Sequence, residues 1–218
     1  MNSIIVPTCV EFPSFHLLLL MNYQEDTKAR MKLFTDAIKK ERDSGSSLGE
    51  FTLLDQTRVD LDANTTILGC TLWSHIPSAA SEEVGLRLND FRQIRQWTVE
   101  TYNAAHLADA TWLDEECAKI RAEEPDRRIA VLTHHAPAMA GTSAPRYENE
   151  PSNIRTAFAT DMSSRSCWGP PVKTWAFGHT HFCCDFVRNG VRILSNQRGY
   201  EGIETRYSSF RDDFVLYI

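Results

Sequence analysis

Apolar positions recur at helical spacing in two long segments of the chain. The first runs from residue 25 to about residue 42, carries charged residues on its other side and is followed by Gly45 as a terminator. The second runs from residue 98 to about residue 123 and could be interrupted between Ala108 and Ala110. The apolar stripes of these two predicted helices are Met31, Phe34 and Ile38, and Leu113, Cys117 and Ile120.

Shorter apolar runs predict strands. The predicted strands are residues 3–6, 51–55, 57–61, 65–73, 128–133, 172–178 and the two arms of 184–197. Asp62–Asn64 and Asn189–Gly190 lie at hairpin turns, and 128–133 is apolar throughout, which is typical of a strand buried on both faces. Residues 136–171 predict an irregular loop with a short helix at 153–159. This mixed order indicates a layered α/β domain, in which ligands bind beyond the carboxyl ends of the strands.

Length and composition indicate one globular domain over residues 1–218. The chain has 218 residues, of which 42% are hydrophobic and 24% charged, and a net charge of -6. This charge argues against a nucleic-acid-binding surface, which would be basic. It is compatible with a phosphate-containing small molecule, because a bound metal ion can supply positive charge locally.

Two further features bear on the location of the protein. The apolar run at 15–21 is too short to span a bilayer and lacks the flanks of a signal peptide, so we expect a buried segment and no membrane partner. A segment outside any well-formed fold is the alternative. The six cysteines are scattered, which favours reduced core residues in a cytoplasmic or nuclear protein.

Four of the seven histidines lie in two motifs, each directly after a predicted buried strand. The sequence LTHHAP contains His134 and His135, and GHTH contains His179 and His181. In an extended segment residues i and i+2 point the same way, so we expect His179 and His181 to project together. Imidazoles placed in this way can hold divalent metal ions. A structural cluster of hydrogen-bonded histidines is the alternative.

The motifs AVLTHHAP, AFGHTHF and GVRILSNQRGY, in this order, resemble the C-terminal part of calcineurin-like metallophosphoesterases, over residues 49 to 200. The resemblance implies a two-sheet β-sandwich flanked by helices (α/β/β/α). It also implies hydrolysis of phosphomonoesters or phosphodiesters by a hydroxide held between two divalent metal ions, such as Mn, Fe or Zn.

The same resemblance implies roles for individual residues. His134 and His179 correspond to ligands of the second metal ion, and His181 corresponds to a ligand of the first. His135 lies beside the site, where it could bind substrate or form a hydrogen bond. Arg198, after the last predicted strand, could clamp a phosphate, although a surface arginine is the alternative. No catalytic residue is assigned.

The family's earlier motifs, D-x-H and G-D-x-x-D, are absent. The third, G-N-H-[ED], aligns with IIVPTCVEF, where only Glu11 matches and Thr8, Cys9 and Val10 replace the other three residues. We therefore expect an N-terminally incomplete domain that lacks its first β-α units. Without bridging carboxylates two metal ions would leave uncompensated charge, so we expect one metal ion or none.

Two functions remain open. One is a cytoplasmic, metal-dependent phosphoesterase that acts on a small phosphate ester and is impaired by the missing acidic ligands. The other is a catalytically inactive pseudoenzyme or a truncated family member that acts, if at all, as an interaction module. Of the remaining candidates, His75 could line the pocket or be an ordinary loop histidine, and Asp90 could approach a substrate. His16 and His106 are expected to be structural.

Overall fold

The computed structural model describes residues 3–4, 26–46, 51–199 and 209–217. The apolar run at 15–21, His16 and the segment from Thr8 to Glu11 therefore lie outside the described residues. The strand predicted at 3–6 is described only at its first two positions.

A six-stranded mixed sheet forms the centre of the protein. The described strands are Ser3–Ile4 (β1), Thr57–Asp60 (β2), Thr65–Cys70 (β3), Arg128–Thr133 (β4), Val172–Ala176 (β5), Cys184–Arg188 (β6), Val191–Ser195 (β7) and Leu216–Tyr217 (β8). The order in the sheet is β2-β3-β4-β5-β7-β6. Its inner strands β3, β4, β5 and β7 run parallel to one another, and the outer strands β2 and β6 run antiparallel to their neighbours. Because four neighbouring strands are parallel, their carboxyl ends lie at one edge of the sheet.

Both long predicted helices are confirmed. The α-helices are Asp26–Asp43 (α1), Ser81–Arg87 (α2), Asp90–Gln93 (α3), Val99–Glu123 (α4) and Pro145–Glu148 (α5), and 3-10 helices span Ser78–Ala80 and Asn153–Ala157. Helix α4 is continuous, so the possible break at 108–110 does not occur. It begins with a capping box in which the side chains of Thr98 and Thr101 each bond the other's backbone N–H.

The two predicted hairpins are confirmed, with Asn189 and Gly190 both at positive φ in the second turn. The prediction of a strand at 51–55 is wrong. This segment is irregular, and Leu54 packs over the backbone of Gly69. Strand β3 ends at Cys70, earlier than predicted, because Leu72 and Trp73 have φ values of 67° and 27°.

Helix α4 packs on one face of the sheet. Its stripe of Leu113, Cys117 and Ile120 is fully buried in the main hydrophobic cluster, together with Val131 and Trp175. This burial explains why the helix forms at these positions, since a helix in a protein gains most of its stability from its packed apolar face.

The described residues establish an α/β architecture. On the opposite face of the sheet, Leu216 of β8 packs with Ala176 and Leu194. Apart from the short β1–β8 pair, no second sheet is seen within the described ranges, so the two-sheet sandwich and the single domain over 1–218 remain predictions. No helix in this part of the chain is both long and apolar enough to cross a membrane.

Candidate metal centre

The loop after β4 is held by hydrogen bonds to both neighbouring loops. The backbone N–H groups of His134 and His135 both donate to the carbonyl oxygen of Thr71, at 3.2 and 3.1 Å, and Thr71 follows β3. The N–H of Gly178, after β5, donates to the carbonyl oxygen of His134 at 3.0 Å. Three consecutive strand ends are thereby joined, and both histidine motifs lie at the edge of the sheet that the topology predicts for a ligand.

His135 is enclosed in the protein, with 1% of its surface exposed. Its Nδ1 lies 2.9 Å from Oγ of Ser74, and its ring packs against Trp73 and Tyr102. Burial holds the pKa of the His135 imidazole well below its usual range, and the nearby His134 adds to the shift. The ring is therefore neutral at pH 7 and has little surface with which to meet a substrate.

The loop after β5 is not extended, contrary to the prediction. His179 and His181 have φ values of 68° and 52°, in the left-handed region that non-glycine residues rarely adopt. The backbone consequently turns at each histidine, and the i, i+2 rule for strands does not apply. Strained residues of this kind concentrate at functional sites.

His179 joins the two histidines of the β4 loop. Its ring centroid lies 4.7 Å from that of His134 and 4.2 Å from that of His135, and its ring also stacks on Phe158 at 4.6 Å and 18°. One potential ligand nitrogen from each of the three histidines lies within 4.8 Å of the others. Among the described residues this group contains imidazoles alone and no carboxylate.

His181 lines a cleft of about 390 Å³ that also reaches His179, and it is not one of the three clustered histidines. Of the three residues expected to bind metal, the structure thus brings His134 and His179 together, and His181 shares the cleft with His179. Arg198 is exposed and does not belong to the lining of the cleft.

Gln197 organises the loop after β5, a role that the sequence did not predict. The residue is only 5% exposed. Its Oε1 accepts a hydrogen bond from the N–H of His181 at 2.7 Å. Nε2 donates to Oγ1 of Thr180 and to the carbonyl oxygen of Phe182. A polar residue directly after a buried strand, in the sequence SNQRGY, was the signal that could have identified it.

The loop after β3 is supported by two buried polar residues of α4. Oδ2 of Asp109 accepts from the N–H of Leu72 at 2.8 Å, and Nδ1 of His106 donates to the carbonyl oxygens of Leu72 and Trp73. Burial lowers the pKa of His106. The structural role expected for His106 fits these contacts, and through this loop α4 positions Ser74 against His135.

The other sequence candidates lie outside the cluster. His75 is exposed, and its ring lies 6.2 Å from that of His106 in a separate groove. Asp90 begins α3 and does not line the cleft beside His179. Five cysteines are free thiols in the described chain, and burial raises the pKa of Cys117 to about 12.

Comparisons with known proteins give two similarities. No family model matches the chain. The uncharacterized protein L509 of Acanthamoeba polyphaga mimivirus is 27% identical over 165 residues, which cover 72% of this chain and 58% of that protein. The crystal structure of phosphopantetheinyl hydrolase (PptH) from Mycobacterium tuberculosis is similar with a TM-score of 0.38 and 17% identity, over 62% of this chain and 50% of that one. The chain thus spans between half and three fifths of the length of these two proteins.

Proposed function

We propose that this protein is a hydrolase of the calcineurin-like metallophosphoesterase type that binds one divalent metal ion and cleaves small phosphate esters. The observation that carries the proposal is the convergence of His134 and His179, from the ends of two adjacent parallel strands, where His179 also lines a cleft. Ligand sites of open α/β sheets lie at this position.

The residues present fit a borderline metal ion such as Zn or Fe, because imidazole is a ligand that these metals favour. Mg²⁺ and Ca²⁺ fit less well, because they prefer oxygen ligands. His134 and His179 would hold the ion, and His181, on the same loop as His179, would complete the site. We assign His135 a supporting role, since its Nδ1 is engaged by Ser74 and its neutral ring packs against His179. When bound, a divalent ion would lower the pKa of a water molecule and offset the charge of the phosphate.

The remaining features of the resemblance are part of this proposal. The β1–β8 pair, whose Leu216 packs on the central sheet, would belong to the second sheet of a sandwich in a single domain. The buried thiols suit a reducing compartment such as the cytoplasm.

A second candidate function is a metal-binding protein without catalytic activity. It is favoured by the composition of the cluster, which in the described part of the chain includes no carboxylate. Such a site can hold one ion, since three histidines suffice for zinc, but it lacks the bridging ligand that a pair of ions needs.

Metal content and turnover of the purified protein test the proposal. We expect about one zinc or iron ion per chain and metal-dependent hydrolysis of p-nitrophenyl phosphate or its bis-ester. His134→Ala and His179→Ala should each weaken metal binding at least tenfold and abolish turnover, and His181→Ala should weaken binding less. His75→Ala, which removes an exposed histidine outside the cluster, is the matched control.

Metal binding without turnover would favour the second candidate function. A folded protein that binds no metal would contradict both.

A further inference from the structure

The cleft beside the histidine cluster is larger than a phosphate group requires. Its volume of about 390 Å³ lies in the range of pockets that enclose whole small molecules. His179 and His181 contribute to its lining, so a phosphate held at the histidines would leave most of the volume for the alcohol part of an ester.

Much of the remaining wall is hydrocarbon. Met139, Ile154, Phe158 and Ala159 line the cleft, and the first three are half-buried at its surface while packing against the two main hydrophobic clusters behind it. The core therefore holds these side chains in place, and the wall is formed before any ligand arrives.

Three polar residues of the wall form hydrogen bonds within the protein. Oγ1 of Thr142 donates to the carbonyl oxygen of Ala138 at 2.6 Å, and Oγ1 of Thr180 accepts from Gln197. The guanidinium of Arg155 donates to the backbone carbonyl oxygens of Glu148 and Met139.

The charged residues of the lining are paired in the same way. Arg87 forms ion pairs with Glu83 at 2.8 Å and with Glu150 at 3.4 Å. An alcohol part with additional hydroxyl groups would lose water and meet several polar groups that are already paired within the protein, whereas an apolar one would gain free energy in proportion to its buried area.

We infer that the cleft selects phosphate esters of bulky apolar alcohols over esters of small alcohols or of alcohols with additional hydroxyl groups. The inference rests on the proposed function, since it names the substrate class of the same site. Selection arises from Ile154, Met139 and Phe158, which contact the alcohol part and take no part in bond cleavage.

Two esters with the same type of leaving group test the selection. For the zinc-loaded protein we expect kcat/KM for naphthylethyl phosphate to exceed that for ethyl phosphate by about 100-fold. Both release a primary alcohol, so the acidity of the leaving group does not decide the comparison. Equal kcat/KM values would overturn the inference.

Variants locate the preference in the cleft. Ile154→Thr, which keeps the branch at Cβ and replaces the ethyl arm with a hydroxyl, should reduce the ratio about tenfold. Met139→Gln should do the same and serves if the first variant does not fold. Val187→Thr, at a side chain that is 70% exposed on β6, should leave the ratio unchanged. A ratio that neither cleft variant alters would overturn the inference.

Binding of non-hydrolysable phosphonates separates this inference from the proposed function. Calorimetry should show naphthylethyl phosphonate binding at least about tenfold more tightly than ethylphosphonate. If neither ester is hydrolysed but this difference is found, the phosphoesterase proposal fails and the selectivity of the cleft stands. If the two phosphonates bind equally, or neither binds, the inference fails.

Discussion

The loops after β4 and β5 each carry two histidines, but the protein holds them in different ways. In the β4 loop His135 is part of the core, and two backbone N–H groups share the carbonyl oxygen of Thr71. In the β5 loop both histidines are half-buried and have a left-handed backbone conformation, and the side chain of Gln197 supports the loop. The comparison suggests a rigid half of the site, formed with the core, and an adjustable half that faces the cleft.

The largest expected effect comes from removing the buried histidine of the rigid half. His135→Ala should lower the free energy of unfolding by about 3 kcal/mol, because it leaves a cavity beside Trp73 and removes the partner of Ser74. Urea unfolding measures the loss. His75→Ala, at an exposed position, should cost less than about 0.5 kcal/mol. A similar cost for both variants would contradict the rigid character of the β4 loop.

A smaller effect is expected where α4 supports the β3 loop. Asp109→Ala should cost about 2 kcal/mol, because the buried N–H of Leu72 loses its acceptor. Asp109→Asn can keep one acceptor oxygen and should cost less. Thermal or urea unfolding of the two variants checks the order, and equal losses would show that the hydrogen bond to Leu72 is not the cause.

The adjustable half should respond locally. Gln197→Ala should cost about 1.5 kcal/mol and increase hydrogen exchange at the amide of His181 about tenfold, because this N–H loses the acceptor Oε1. Gln197→Glu, which keeps an acceptor oxygen, should protect the amide better. If exchange increased instead at His135, the two loops would form one cooperative unit.

The smallest effect concerns pH. The pKa values of His135 and His106 are lowered by burial, whereas a histidine in the unfolded chain has a pKa of about 6.5. As the pH falls below about 6.5 the unfolded state takes up protons that the folded state does not, so stability is present above this pH and is lost below it. His135, whose pKa is lowered most, should cost about 1 kcal/mol between pH 6.5 and 5.5, and His106 should cost less.

His106→Gln tests this dependence, since glutamine can still donate to the carbonyl oxygen of Leu72. Its unfolding free energy should fall less steeply with decreasing pH than that of the unmodified protein. Leu107→Gln, at a 59% exposed neighbour on the same helix, should retain the original slope. An unchanged slope in His106→Gln would show that His106 takes up protons equally in the folded and unfolded states, and would contradict the prediction.

Much of the fold follows from local patterns. The stripe of Leu113, Cys117 and Ile120 predicted α4, and Asn189–Gly190 predicted the turn between β6 and β7, because both signals depend on residues close together in the chain. The prediction of a strand at 51–55 failed because Leu54 packs over Gly69 of the sheet instead of lying in a strand. Apolar residues in a short run do not reveal whether they pair within a sheet or pack on its face.

For the candidate site, the sequence by itself determined that His134, His135, His179 and His181 follow buried strands, since each motif adjoins its strand in the chain. Only the tertiary structure decided that β4 and β5 are parallel neighbours, that His135 faces Ser74 inside the core, and that Gln197 shapes the loop of His181. The physical reason is that these contacts join residues 16 to 61 positions apart, and their geometry depends on strand order and on left-handed backbone turns.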